Sequence, residues 1–144
     1  MAASGERAFV DALYTLLNNA TGVGGAGVAV LKGDRAHLPA EACVLLVPKD
    51  VELEVEGKAG DAVQYDENPT VNVLVEYVLV DTNANFDEHA DMAGTVRGLL
   101  LADETLGAAY DRVELGTTVY AIGIRGDQLT RRATIPMTAS RGYE

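Results

Sequence analysis

Lysine is nearly missing from this chain, occurring only at Lys32, Lys49 and Lys58, and tryptophan is missing altogether. Cations of either kind are few: 11 lysines and arginines stand against 22 aspartates and glutamates, for a formal net charge of -11. A nucleic-acid binder needs clustered positive charge to displace counterions from phosphates, so this balance argues against specific DNA recognition. Cysteine is represented by Cys43 alone, which rules out an internal disulfide and any metal site built on thiolates. Cys43 lies in the apolar run Cys43-Val44-Leu45-Leu46-Val47, where a free thiol behaves as a small hydrophobe. No apolar run reaches the length that spans a bilayer. The start, Met1 to Arg7, lacks the charged and apolar segments of a signal peptide. The expectation is a soluble protein made in the cytoplasm, without membrane contact.

What is plentiful is small, apolar or acidic. With 144 residues and 48% hydrophobic residues, the chain suits one domain, 1–144, with a real core. An acidic, lysine-poor surface stays soluble when salt screens charge. That fits a high-salt host, and it fits an ordinary acidic protein equally.

Hydrophobic spacing organises the chain. Residues Ser4 to Asn19 read as a helix, with Phe9, Leu13, Leu16 and Leu17 on one face and Ser4 as N-cap. A glycine run, Gly22 to Gly27, leads into a strand at Val28 to Leu31. Pro39 and Pro48 bracket a second strand from about Ala42 to Val47. A third, Val51 to Glu56, alternates apolar and glutamate; after a turn at Gly57 to Gly60, a short strand returns over Ala62 to Tyr65. Asn68-Pro69 reads as another break, followed by a long strand from Thr70 to Val80. Along it Val71, Val73, Val75, Tyr77 and Leu79 share a face, so this strand is expected to be central or covered at its end. A second helix is expected from about Asp87 to Leu101, with Asp87, Glu88 and Asp91 in its first turn. Asp103 to Gly107 looks like a short helical turn. Strands at Arg112 to Leu115, Thr118 to Ile124 and Leu129 to Ala139 close the chain, the last two joined by Gly126-Asp127. Pro136 predicts an edge position or a bulge for the final strand. The class is α+β: a mostly antiparallel sheet flanked by two helices.

No residue pattern here carries catalysis. The glycine run follows a helix and precedes a strand, the reverse of a phosphate loop, and reads as a flexible connector. Asp87-Glu88-His89-Ala90-Asp91 has metal-ligand types, yet His89 points away from the two aspartates and a solvated helix start explains the cluster. No catalytic residue, cofactor or metal is expected. Glu52, Glu54 and Glu56 form one acidic stripe, either a plain solvent face or a lumen or assembly surface. Arg125, Arg131, Arg132 and Arg141 make the last 20 residues locally basic against an acidic remainder. Such asymmetry suits head-to-tail contacts between copies, and equally an ordinary exposed hairpin.

One order of features carries a family resemblance. A valine-rich strand (Val71 to Val80) precedes an acidic-started helix (Asp87 to Leu101). Then come Asp103-Glu104-Thr105-Leu106-Gly107, a strand pair, and an alternating strand (Arg132 to Ala139) before Arg141-Gly142-Tyr143-Glu144. In this the chain resembles the tail terminator (tail completion) proteins of long-tailed phages and archaeal tailed viruses, over nearly its whole length. The resemblance implies a homohexameric ring on the last ring of tail-tube protein, ending tail growth and offering a docking face to the head-closure or neck protein. It implies a place in the virion's tail or neck and no enzymatic turnover. DNA would pass through the lumen without specific binding, and Glu52, Glu54 and Glu56 would suit that lining. Alternatives are another neck or tail component, such as a head-closure protein or tail-tube subunit, and a small non-viral ligand-binding protein.

Overall fold

The fold is seen in a computed structural model that describes residues 5–59, 62–103, 105–106 and 110–142, with side chains described outside 50–67 and 141–142. Helix α1 (Gly5–Asn19) buries Phe9, Leu13 and Leu17 of the predicted stripe together with Val10, while Leu16 is only half-buried. The proposed cap Ser4 lies outside the described residues. A 3-10 turn (Gly24–Ala26) then leads to β1 (Ala29–Lys32). The glycine run is therefore no loose connector. The amide of Gly25 bonds the Ala20 carbonyl at 2.9 Å, that of Val28 bonds Val23 at 3.1 Å, and Val23 itself is fully buried. Only glycine fits at position 24, where a Cβ would collide with the carbonyl oxygen of Asn18.

Two long strands come next: β2 (Ala42–Ala59) and β3 (Ala62–Val78). Each fuses two segments that prolines seemed to separate. Pro48 pairs with Val71, just beyond the end of the β1 ladder at Leu46 and beside a register shift. Pro69 pairs with Val51, and the β3–β6 ladder skips Asn68 and Pro69. A missing N–H is tolerated where one neighbour stops or slips.

Helix α2 (Asn83–Ala102) starts four residues before its expected position, because the Thr82 side chain accepts from the Asn85 amide at 3.1 Å. Asp87, Glu88 and Asp91 thus sit beyond the first turn, which holds no acid. Within the short helical turn expected at Asp103 to Gly107, the described Thr105 and Leu106 form only a turn, with Leu106 at φ 48°. The chain ends in β4 (Arg112–Leu115), β5 (Val119–Arg125) and β6 (Gln128–Gly142).

The sheet runs β1-β2-β3-β6-β4, with β5 also on β6; only β1–β2 is parallel. The α+β class expected from the sequence is what the chain adopts, and β3 lies centrally as predicted. β6 is not an edge strand. One side pairs with β3; the other carries β4 against its second half and β5 against its first. Pro136 falls in the gap between them. Its carbonyl accepts from Gly116 at 2.7 Å on that side, so its donor-less nitrogen faces the same gap.

Both helices cover one sheet face. Phe9, Leu13 and Leu17 of α1 and Ala93, Val96 and Leu100 of α2 meet Val44, Leu46, Val71, Val73, Val75, Ile135 and Met137 in one cluster. The opposite face has no helix among the described residues. Residues 33–41 cross it, capping a smaller cluster of Leu38, Cys43, Leu45 and Leu74.

Candidate functional site

Register explains what gathers at the β5–β6 end of the sheet. Residues paired directly across an antiparallel ladder point to the same face. Gly123 pairs with Thr130 and Ala121 with Arg132, and Arg132 pairs with Glu76; all therefore face the side crossed by residues 33–41. At their centre Glu76 is fully buried. Arg125 clamps it with Nε and Nη2, each 2.7 Å from one carboxylate oxygen. Thr130 Oγ1 donates at 2.5 Å, and Arg132 adds Nε at 3.2 Å and Nη2 at 3.1 Å. Burial alone would raise the Glu76 pKa, but hydrogen bonds from Arg125, Arg132 and Thr130 hold it at about 2.

The same Arg125 ties down the loop. Its Nη1 donates to Asp34 Oδ1 and to the Arg35 carbonyl, both at 2.5 Å. Beside it, Gln128 accepts from the Leu38 amide at 2.8 Å and His37 Nε2 meets Asp127 Oδ1 at 3.0 Å. Residues 33–41 are thereby latched to the β5–β6 hairpin. No local signal announced this latch, because its members come from four separate segments.

The arginines singled out in the sequence are divided by this geometry. Arg125 is 6% exposed and its guanidinium is spent inside the chain, held charged by Glu76. Arg132 is partly exposed and shares that carboxylate. Arg131 projects from the helix-bearing face instead; its Nε donates to Asn85 at 2.8 Å and it lies 5.6 Å from the Phe86 ring centroid. Arg141 pairs through its backbone with Glu67, and its side chain lies outside the described residues. The acidic stripe also falls there: Glu52 and Glu54 pair with Asn68 and Asp66 along β2. Nothing is described of the side chains of Glu52, Glu54 and Glu56.

His89 is drawn into the core. Its Nε2 lies 2.9 Å from the Val75 carbonyl, and its ring meets Tyr77 and Tyr120 edge-on. Burial lowers its pKa below the usual 6.5. It is thus parted from exposed Asp87, Glu88 and Asp91, and no described group of three such side chains is placed to hold a metal.

The helix-bearing face of β5 is largely open to solvent. Tyr120, Ile122 and Ile124 are 53%, 57% and 72% exposed, and Leu129, paired with Ile124, is 50% exposed. Phe86, 56% exposed, lies beside them over Arg131. Helix α2 reaches β5 at Tyr120, through His89 and Arg97, and leaves Ile122 and Ile124 open. A separate open groove of about 500 Å³ lies between the end of α2 and β4, lined by Leu100, Leu101 and residues 112–115.

No protein-family model matches the sequence, and no curated protein matches it. A solved structure does. A chain from the virion of a native gene transfer agent (GTA) particle superposes with a TM-score of 0.55 at 17% identity, over 98% of this chain and 100% of the other. The two share a fold from end to end. At this identity the likeness speaks for the architecture alone.

Proposed function

We propose that this chain is a structural subunit of a tailed virion, and more specifically the terminator that closes the tail tube as a homohexameric ring. The carrying observation is the end-to-end fold shared with a GTA virion chain, with no part of either chain left unaccounted for beyond a few residues. In this reading the protein works by binding and not by turnover. The ring seats on the last ring of tail-tube protein, stops elongation and presents its far side to the head-closure or neck protein. DNA passes through the lumen unread, consistent with a chain of net charge -11. The acidic stripe Glu52, Glu54, Glu56 supplies a lumen or assembly surface. Arg131, Arg132 and Arg141 supply basic contacts between neighbours, whereas Arg125 serves them by holding the β5–β6 corner in shape.

Native mass spectrometry of the purified protein, in low and molar salt, tests the assembly this requires. The expected result is a closed ring of six copies. A single copy or a dimer under every condition, including beside tail tubes, would overturn the proposal. Rings that stack into long tubes unaided would identify a tube subunit instead.

A further inference from the structure

We infer that the open face and outer edge of β5 form the contact surface for a second copy of this chain, extending the sheet from one subunit into the next. The inference rests on the ring reading above and locates where one subunit grips another. Three observations support it.

The first is an unguarded edge. β5 pairs with β6 on one side, and among the described residues no strand pairs with the other. Natural edge strands are protected by outward charges, prolines or bulges. β4 obeys this rule with exposed Arg112 and Glu114. β5 does not: in Val119-Tyr-Ala-Ile-Gly-Ile-Arg125 the one charge, Arg125, is buried under the sheet on Glu76.

The second is area. Tyr120, Ile122, Ile124, Leu129 and Phe86 are each at least half exposed and adjoin one another around Arg131. Five large apolar side chains so exposed present roughly 500 Å², near the upper end of what a monomer leaves in one patch. A stable interface takes about 800 Å² from each partner, so this patch with its polar rim is the right size for half of one.

The third is charge, which favours a copy of this chain as the occupant. Copies of a protein at -11 repel one another, so contact needs a region with few carboxylates. From Leu115 to Tyr143 the sequence holds one acid, Asp127, at the hairpin tip, and, beside Arg125 and Arg132 that are engaged by Glu76, two further arginines, Arg131 and Arg141. That segment is electrostatically complementary to the rest of its own chain, and so to a second copy presenting that remainder.

The test compares wild type with I122E and I124E by sedimentation velocity, and tracks hydrogen exchange of residues 119–125. Both sites face solvent, so circular dichroism should confirm that the variants remain folded. The expected result is a wild-type ring in which the outward-pointing β5 amides, those not bonded to β6, exchange slowly, and variants that sediment as single copies with those outward amides exchanging fast. Wild-type rings matched by equally assembled I124E rings would overturn this location and leave the ring reading standing. A wild type that never assembles would overturn both.

Discussion

Arg125 and Glu76 face each other through two parallel 2.7 Å hydrogen bonds, the guanidinium fork matched to the carboxylate, with Glu76 fully buried and Arg125 nearly so. Two charges removed from water together are tolerable only because Thr130, Arg132, Asp34 and the Arg35 carbonyl occupy their remaining hydrogen-bonding positions. The pair therefore specifies where residues 33–41 lie more than it adds net stability. Removing Arg125 strips the buried Glu76 carboxylate of its bidentate clamp and leaves it only Thr130 and the longer contacts from Arg132. R125A is expected to cost about 3–5 kcal/mol in denaturant unfolding. R125K should recover little, since an ammonium cannot span both oxygens and Asp34. The paired replacement E76M/R125M should unfold much closer to wild type than either single change. Equal losses in the single and paired variants would contradict this account.

Acid should attack the same place. The Glu76 pKa is depressed from 4.5 to about 2, so the unfolded chain binds its proton first as pH falls. Its contribution is fully present above the unfolded value and is lost as pH drops from about 4.5 through about 2. His89 acts earlier on the scale. Its lowered pKa means that the folded state favours the neutral ring, a contribution present above 6.5 and eroded as pH falls below that value. Unfolding free energy measured from about pH 8 to about pH 2 should fall with acid in both windows. E76Q should flatten the lower window and H89Q the upper one; unchanged slopes in these variants would refute the assignment.

Gly24 supplies a test of the turn that precedes the sheet. An alanine there would drive its Cβ into the Asn18 carbonyl, which is backbone and cannot swing aside. G24A should destabilise the protein by on the order of 2 kcal/mol or more, beyond the ordinary glycine-to-alanine effect. G27A, with open space around it and a strained φ of 89°, should cost about 1 kcal/mol. A neutral G24A in thermal unfolding would mean that the turn is not held as described.

Periodicity made the helices and the core face legible. The stripe Phe9, Leu13, Leu17 and the alternation Ala133, Ile135, Met137, Ala139 are local patterns, and all seven residues are buried. Proline misled where its neighbours decide the outcome. Pro48, Pro69 and Pro136 all lie within strands, because each sits beside a place where a neighbouring ladder ends, skips or leaves a gap. Glu76 carries no mark of its burial in the residues beside it. It is buried because Arg125, Thr130 and Arg132 converge on it while Asp34 anchors the far side of Arg125, a meeting of distant segments that no window of sequence displays. Likewise the basic C-terminal segment was visible as composition, whereas its division between Arg125 inside and Arg131 outside is a matter of strand face alone.

The most direct test of the virion reading is to add the purified protein to growing tails of its cognate tube protein and view them by negative-stain electron microscopy. The expected result is a ring seated at one end of each tube and an abrupt halt in elongation, with length fixed by the moment of addition. Tubes that continue to lengthen with both ends bare would contradict it.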